Sequence, residues 1–452
     1  MKVYDHILQV VGHTPLVRLH RVTKGINATV LVKCEHLNPG GSIKDRIALH
    51  MINKAEESGE LKPGSTIIEP SSGNTGAGLA MIGCLRGYRV IVTMPDKMSR
   101  SKIDYLRAFG AEVVVCPTAV EPEDPRSYYS VAKKLLKDIP NSFSPDQYSN
   151  QFNPETHYLS TAPEIWDDLD GKINTFVAGM GTGGTISGIS KYLKEKDPNI
   201  RTVGVDPVGS LYHDYMKTGK LGEAETYKIE GVGEDMIPDT IDFSLIDDSV
   251  QVSDQEAFIM ARRLAKEEAL FVGGSAGMAV HGALQVARTL HRGDVLVCVI
   301  PDHGDRYLST YFNDNWMRDN QFLVEPKALK ARDILSRKIH KDLVSVSVNT
   351  PLIEVSNYFQ GRDFSQIPVV EGNKVLGTLY EDKMLEHLLK RAADGETLAN
   401  EIMEAPLPMV DPGCGVEAIL EFFKGGSPAV LVSGNPLGIL TKFDLMQCLA
   451  SQ

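Results

Sequence analysis

"NPGGSIKDRIAL", residues 38–49, places one lysine, Lys44, directly after two glycines and a serine. A helix is predicted to begin here, because apolar residues recur at positions 43, 47, 51 and 55. The helix dipole disfavours a cation at this end of a helix, which would lower the pKa of the lysine. An amine with a lowered pKa is a nucleophile for Schiff-base chemistry rather than an ordinary solvated surface charge.

Length and charge restrict the class of protein. The 452 residues predict two or three domains. The net charge of −12 argues against a nucleic-acid or anionic-membrane partner. The first residues lack a signal-peptide pattern and no apolar run reaches membrane-spanning length, so a cytoplasmic protein is expected. The six cysteines are scattered without a CxxC pair, which predicts buried free thiols and no metal site.

Residues 29–302 alternate short β-branched runs with helical periods. This alternation predicts an α/β fold with two doubly wound, parallel-sheet subdomains and a cleft between them. The predicted strands are TVLVKC, STIIEP, RVIVTMP, AEVVVCP, NTFVAG, RTVGVDP, ALFVG and VLVCVIPD.

The rest of the chain contains an internal repeat. Each copy predicts strand, helix, strand, strand and helix over roughly 60 residues, near the lower limit for a domain that folds alone. Two copies packed together would bury apolar surface that neither copy could bury alone. The predicted domains are a catalytic region at 1–315, a linker at 316–328, and two small domains at 329–390 and 396–452.

Three times in the first region a strand feeds a glycine-rich loop that opens a helix. The loops begin at residues 69 (EPSSGNTGAG), 179 (GMGTGGTISG) and 271 (FVGGSAGMA). Backbone N–H groups at a helix N-terminus bind anions. The GTGGT loop suits a phosphate, although a tight turn that binds nothing is the alternative, and the SSGNTG loop suits a carboxylate. A phosphate site together with a nucleophilic lysine is what pyridoxal phosphate requires.

These motifs together resemble the fold-type II pyridoxal-phosphate enzymes, in the group that holds the cystathionine β-synthases and the cysteine synthases. GHTPLVRL, NPGGSIKDR, EPSSGNTG, GTGGTISG and GGSAG occur in the family's order within residues 1–310. The C-terminal repeat resembles the tandem CBS-domain (Bateman) module, and this arrangement resembles the bacterial type of cystathionine β-synthases. The animal enzymes carry an N-terminal haem-binding extension, whereas here the pattern begins almost at Met1. No haem is therefore expected.

The resemblance implies a role for each matching residue. Lys44 would bond the cofactor aldehyde and then act as the general base at the substrate Cα. The implied cofactor residues are Lys44, Asn74, Gly181, Thr182, Gly183, Gly184, Thr185 and Ser275. The implied residues for the amino-acid substrates are Ser71, Ser72, Thr75, Gln151, Tyr148, Gly231 and Gly233.

The resemblance also implies a β-replacement that joins L-serine to L-homocysteine and forms cystathionine. Ser275 is neutral, so the pyridine nitrogen has no carboxylate partner, which favours β-elimination over transamination. Gln151 resembles the residue that cysteine synthases have at this position. Glu234 stands where animal cystathionine synthases have an aromatic residue. Both residues are compatible with O-acetylserine, instead of serine, as the first substrate. Cysteine synthesis from sulfide is the alternative reaction, and a nucleotide sensor with an inactive catalytic half is the alternative of another class.

In CBS-domain pairs, a threonine and an aspartate three residues later bind the ribose of an adenosyl ligand. The second copy has Thr441 and Asp444, whereas the first has Tyr380 and Lys383. One adenosyl site is therefore expected, for S-adenosylmethionine, AMP or ATP. A purely structural module with Thr441 as a helix cap is the alternative. Enzymes of this type are usually homodimers, and the module could join dimers into a homotetramer.

Overall fold

The computed structural model describes residues 3–71, 73–96, 98–120, 123–323, 329–338, 343–360, 365–372, 374–434 and 437–450. The chain divides into two compact units, Met1–Leu323 and Val324–Gln452. None of the helices within the described ranges is long and apolar enough to cross a membrane.

The first unit alternates strands and helices. Its strands are β1 (Leu16–Arg18), β2 (Thr29–Cys34), β3 (Thr66–Pro70), β4 (Arg89–Pro95), β5 (Glu112–Cys116), β6 (Ser142–Phe143), β7 (Thr175–Gly179), β8 (Arg201–Pro207), β9 (Asp248–Val252) and β10 (Val295–Ile300). Its helices are α1 (Lys44–Glu57), α2 (Asn74–Arg86), α3 (Arg100–Ala108), α4 (Tyr128–Asp138), α5 (Phe152–Thr156), α6 (Ala162–Asp168), α7 (Gly184–Lys196), α8 (Tyr212–Thr218), α9 (Asp254–Glu268), α10 (Gly274–Ala287) and α11 (Asp314–Asp319). Short 3₁₀ turns lie at Ile7–Val10, Glu35–Leu37, Phe243–Leu245 and Gly304–Tyr307, and a π turn at His157–Thr161 joins α5 to α6.

Two sheets organise this unit, which confirms the predicted pair of doubly wound subdomains. The larger sheet has the order β1-β2-β10-β7-β8-β9, and only the edge strand β1 runs antiparallel to its neighbour. The smaller sheet, β5-β4-β3-β6, is parallel throughout. Both faces of β7 are covered, because Val177 packs into one apolar core and Phe176 into another. That burial explains why this strand is a continuous apolar run.

Three details differ from the prediction. ALFVG does not form a strand, since Val272 makes only an isolated bridge to His303 before the loop enters α10. The predicted linker begins inside the first unit, where Met317 on α11 is fully buried in the core. The six cysteines are free, but Cys84 is exposed rather than buried.

The second unit carries the predicted repeat. Its strands are β11 (Val346–Ser347), β12 (Gln366–Glu371), β13 (Lys374–Tyr380), β14 (Met409–Val410), β15 (Ala429–Val432) and β16 (Gly438–Thr441). Its helices are α12 (Ala331–Arg337), α13 (Leu352–Phe359), α14 (Glu381–Leu389), α15 (Ala399–Ile402), α16 (Val416–Lys424) and α17 (Lys442–Ala450). Each copy forms a three-stranded sheet, β11-β12-β13 or β14-β15-β16. Val375 and Tyr380 of the first copy pack against a buried cluster that contains Ala429 and Leu431 of the second, so the copies share a core.

Candidate active site

Lys44 is the first residue of α1, as predicted, and its backbone is held by the end of β10. The N–H of Ile43 donates to the carbonyl of Pro301 over 2.8 Å, and Ser42 forms an isolated bridge with Asp302. The N–H of Lys44 itself donates to Ser42 Oγ over 3.2 Å. The lysine is therefore positioned by the larger sheet, although its helix packs against α2 of the smaller one.

Burial lowers the pKa of Lys44 from 10.5 to about 8, while the charge of Glu234 partly opposes this shift. The direction is the predicted one, and its largest cause is desolvation of the amine by burial. Among the described residues, Lys44 Nζ donates no hydrogen bond and has no carboxylate oxygen within 4.0 Å. A lysine in this state supplies a neutral amine close to physiological pH.

Lys44 lines a cavity that two of the three predicted glycine-rich loops also line. Its wall comprises Ile43, Lys44, Ala178, Gly179, Gly181, Thr182, Gly183, Thr185, Ile186, Gly231, Val232, Ser275, Ala279, Val299 and Pro301. The predicted nucleophile, phosphate loop and Ser275 are thus brought to one place.

The GTGGT loop is a cradle that only glycine can form. Gly183 has a φ of +86°, and a Cβ there would collide with Ile241. A Cβ on Gly181 would lie 2.7 Å from the carbonyl oxygen of Gly231, and one on Gly184 would collide with the Asn153 side chain. The loop opens α7, whose thirteen residues direct the positive end of a helix dipole towards the cavity wall. These residues fit a phosphate group.

The side chains of the loop threonines contact residues of α5 and the π turn. Asn153 Nδ2 donates to Thr182 Oγ1 over 3.1 Å, and Thr185 Oγ1 lies 3.3 Å from His157 Nε2. Burial keeps the pKa of His157 well below 6.5, so the ring is neutral at physiological pH. A phosphate in this loop would therefore be bound by backbone groups, hydroxyls and the helix dipole rather than by a histidine cation.

Asn74 begins α2 and is held by two charged residues that the sequence analysis missed. Its Nδ2 donates to Asp302 Oδ2 over 2.9 Å, and its Oδ1 accepts from Arg306. Tyr307 also donates to Asp302, over 2.6 Å. One N–H of the Asn74 amide remains for a cofactor oxygen. Asp302 and Arg306 lie in PDHGDRY, a polar run directly after the last core strand. Its position at the carboxyl end of a parallel strand could have marked both residues as candidates for the site.

In the SSGNTG loop, side-chain hydroxyls already have protein partners. Ser71 Oγ accepts from the N–H groups of Gly73 (3.3 Å) and Gly76 (3.1 Å) and so caps α2. Thr75 Oγ1 donates to Gln147 Oε1 over 2.6 Å. Ser72 lies outside the described residues.

Gln147, rather than the predicted Gln151, is the glutamine that the structure brings to this loop. Gln147 is buried, whereas Gln151 is exposed and donates from Nε2 to the carbonyl of Asp239 over 2.9 Å. Both glutamines lie in one loop segment without periodicity, so the sequence pattern does not decide which of them contacts Thr75. Asp146 has a φ of +50°, and this turn directs the chain so that Gln147 reaches Thr75.

The remaining predicted substrate residues are Tyr148, Gly231 and Gly233, and of these three Gly231 alone lines the cavity. Gly231 lines the cavity and has a φ of +78°, and the N–H of Gly233, at +71°, donates to the carbonyl of Met180 over 2.6 Å. Just before them, Glu230 forms an ion pair with Lys102, whose ammonium lies 4.9 Å from the ring centre of Tyr307.

The two residues of the predicted ribose site contact one another in the second unit. Asp444 Oδ2 accepts from the backbone N–H and from Oγ1 of Thr441, each over 2.8 Å. The same oxygen also accepts from Lys338 Nζ over 3.0 Å. The sequence analysis missed this lysine, which meets the carboxylate that a ribose would use.

Sequence comparison assigns both parts of the chain to known families. The family described as pyridoxal-phosphate dependent enzyme matches residues 7–302, and the CBS domain matches residues 331–390 and 399–451. The cystathionine beta-synthase of Dictyostelium discoideum is 40% identical over 98% of this chain and 92% of its own length. That of Saccharomyces cerevisiae is 36% identical, with 98% of each chain covered.

Solved structures agree with these relatives. The O-acetylserine dependent cystathionine beta-synthase of Helicobacter pylori is 38% identical with a TM-score of 0.64, covering 69% of this chain and 99% of that one. A hydrogen sulfide-producing enzyme from Fusobacterium nucleatum is 37% identical with a TM-score of 0.63, covering 68% of this chain and all of its own. The chain belongs to the cystathionine β-synthase family of pyridoxal-phosphate-dependent lyases.

Proposed function

We propose that this enzyme condenses L-serine or O-acetylserine with L-homocysteine to form cystathionine. The observation that carries the proposal is the buried Lys44 amine, which shares one cavity with the glycine cradle and Ser275. Relatives with this name at 36–40% identity over nearly the whole chain support the same reaction.

The backbone of residues 181–185 would hold the cofactor phosphate, and Lys44 would hold its aldehyde. When bound, pyridoxal phosphate supplies an electron sink for the bonds at the substrate Cα. Lys44 is the one described base on the cavity wall that can take the proton from Cα and return it. Ser275 offers a neutral hydroxyl to the pyridine nitrogen, so no carboxylate there strengthens the electron sink.

The reaction breaks one bond and forms one at the substrate Cβ. The C–O bond of the first substrate breaks and releases water or acetate, and the sulfur of the second substrate then bonds to Cβ. The loop from Ser71 to Thr75, together with Gln147, would orient the first substrate by its carboxylate. Thr182 is buried, and Lys44 and Thr185 are partly buried, so this wall would limit the access of water.

The test is a matrix of substrates with the purified protein. Serine and O-acetylserine are each combined with homocysteine or sulfide, and products are identified by mass spectrometry. Cystathionine is the expected product, and Lys44→Ala should form none. Cysteine from sulfide without cystathionine would support the second candidate, cysteine synthase. No product from any pair would leave the nucleotide-sensor alternative.

We also propose that an adenosyl ligand binds in the second unit and regulates the enzyme. Thr441 and Asp444 carry this part of the proposal, and the CBS-domain family supports it. S-Adenosylmethionine, AMP and ATP are the ligands to test by calorimetry, and the proposal fails if none binds. The assembly into a homodimer or homotetramer and a cytoplasmic location remain proposals, to be tested by light scattering and by fractionation.

A further inference from the structure

The ring of His157 joins two threonine hydroxyls, one in its own π turn and one in the predicted phosphate loop. Its Nδ1 lies 2.9 Å from Thr161 Oγ1, and its Nε2 lies 3.3 Å from Thr185 Oγ1. Thr185 lines the same cavity as Lys44, whereas His157 and Thr161 do not. The mechanism above gives no role to His157 or to Thr161, although a line of contacts joins them to the cavity wall.

The position of the His157 ring is fixed by close packing of the π turn against α7. A Cβ on Gly188 of α7 would collide with the carbonyl oxygen of Pro154 and would lie 3.0 Å from His157 Cβ. His157 is 1% exposed and Thr161 is fully buried. The ring nitrogens and the Thr161 hydroxyl therefore depend on protein partners for their hydrogen bonds.

The hydroxyl of Thr161 has one partner among the described residues, the Nδ1 atom of His157. Thr156 and Ser160 each donate to the carbonyl four residues earlier, a common bond for a hydroxyl in a helix. Thr161 makes no such bond, and the His157 carbonyl accepts from the N–H of Ala162 instead. If Nδ1 carried the ring hydrogen, the buried Thr161 O–H would have no acceptor, which is costly. Thr161 therefore donates and Nδ1 accepts.

This assignment decides what the Thr185 hydroxyl can offer to the cavity. The His157 ring is neutral, because burial keeps its pKa well below 6.5, so it carries one hydrogen, and with Nδ1 as an acceptor that hydrogen is on Nε2. The Nε2–H group then donates to Thr185 Oγ1. Since Thr185 Oγ1 has no other partner in the described chain, its own O–H stays available to the cavity. In the other tautomer, Thr185 would donate to Nε2 and would offer only lone pairs.

We propose that Thr161 fixes the tautomer of His157 and thereby keeps the Thr185 hydroxyl as a hydrogen-bond donor to the cofactor phosphate. This inference rests on the proposed function, in which residues 181–185 hold that phosphate. The oxygens of a phosphate dianion only accept hydrogen bonds, so a threonine that could only accept would weaken the site. His157 and Thr161 are positioning residues, because they act through Thr185.

The tautomer can be read by NMR of the apoenzyme with nitrogen-labelled histidine. Couplings between ring nitrogens and ring protons show which nitrogen carries the hydrogen, and His157→Gln identifies the signal. The hydrogen should be on Nε2 in the wild type and in Thr161→Ser, whereas Thr161→Val should show a substantial population with the hydrogen on Nδ1. Thr156→Val is the matched control, because it removes a buried hydroxyl that bonds to the Phe152 carbonyl, and it should leave the tautomer unchanged. Hydrogen on Nδ1 in the wild type, or an unchanged tautomer in Thr161→Val, would overturn the proposal.

The phosphate contact can be measured by calorimetry of pyridoxine phosphate binding to the apoenzyme, since this ligand has no aldehyde to bond Lys44. A glutamine amide at position 157 reaches the place of Nε2 and can still donate to Thr185, whereas an asparagine amide reaches only the place of Nδ1. His157→Asn should therefore bind about tenfold more weakly, while His157→Gln should stay within about threefold of the wild type.

Pyridoxal, which lacks the phosphate, is the control ligand, and its affinity should be the same in the wild type and in both variants. An equal loss of pyridoxal binding in His157→Asn would show structural damage and not a phosphate contact, which would overturn the proposal, as would full affinity of that variant for pyridoxine phosphate. If His157→Asn folds poorly, the tautomer of the wild type still decides. Failure of the wild-type apoenzyme to bind pyridoxine phosphate would instead overturn the proposed function.

Discussion

Thr75 and Gln147 lie 72 residues apart in the sequence and are joined by a 2.6 Å hydrogen bond from the hydroxyl to the amide oxygen. The backbone N–H of Gln147 donates in turn to the buried carboxylate of Glu69, over 3.3 Å. The bond uses the amide oxygen, which leaves the Nε2 group of Gln147 as the donor for a carboxylate. The loop after β6 would thereby complete the proposed carboxylate site that begins on α2.

Gln147→Ala should therefore weaken binding of the first substrate. Loss of one hydrogen bond to a charged group costs about 1.5–3 kcal/mol, which corresponds to a KM about ten- to a hundredfold higher. Gln151→Ala is the matched control, because that exposed side chain bonds only to the Asp239 carbonyl among the described residues. Steady-state kinetics with serine and O-acetylserine provide the measurement. A larger effect in Gln151→Ala would restore the original assignment.

Uptake of pyridoxal phosphate by the apoenzyme should follow the ionisation of Lys44. The neutral amine is the nucleophile, so the rate should rise with pH and reach half its maximum near pH 8 instead of near 10.5. Glu234→Gln removes a charge that favours the ammonium form, so its midpoint should lie at lower pH than in the wild type. Cofactor absorbance after mixing gives the rate, and borohydride reduction followed by peptide mapping identifies the bonded residue. A midpoint that moves upward in Glu234→Gln contradicts this account.

Gly184→Ala should damage the phosphate cradle. The new methyl group would collide with the Asn153 side chain, whose Nδ2 also supports Thr182. Overpacking of this kind costs about 1–3 kcal/mol of stability, and the displaced loop should bind the cofactor more weakly. Gly222→Ala is the control, because no heavy atom lies within 4 Å of a Cβ there. Its stability should change by less than about 0.5 kcal/mol. Thermal unfolding and equilibrium dialysis with the cofactor distinguish the two, and equal behaviour of both variants would argue against a steric cradle.

Local patterns predicted those parts of the fold that depend on burial along one element. The apolar repeat at positions 43–55 marked the face of α1 that is buried, and the helix begins at Lys44 as expected. Apolar runs likewise marked the strands that are covered on both faces. ALFVG shows the limit of this signal, because a short apolar run is equally compatible with a buried loop that leads into a helix.

The rest of the site depends on contacts between distant segments, which no local pattern encodes. Asn74 and Asp302 are separated by 228 residues, and only the folded chain brings them together. Residues 147 and 151 could be exchanged in the prediction because the loop has no period to fix its register. The turn at Asp146, with its positive φ, decides which glutamine reaches Thr75.

Lys338→Met should strengthen binding of an adenosyl ligand to the second unit. In the structure the Lys338 ammonium donates to Asp444 Oδ2 over 3.0 Å and to the carbonyl of Ile439 over 3.1 Å, and both charged side chains are largely buried. A ribose that bonds Asp444 must compete with this ion pair. Removing a partly buried pair worth about 1 kcal/mol should tighten binding about fivefold.

Lys383→Met is the control for this prediction, because Lys383 takes the place of Asp444 in the first copy and pairs with Glu386 on the surface of α14. Calorimetry on the full-length protein with AMP and with S-adenosylmethionine gives the affinities, and Lys383→Met should leave both unchanged. Asp444→Asn should abolish binding, since the carboxylate is the acceptor for the ribose hydroxyls. Weaker binding of both ligands to Lys338→Met would show that the lysine is itself a ligand contact. Weaker binding of AMP alone would place Lys338 at the phosphate, because only that ligand carries one.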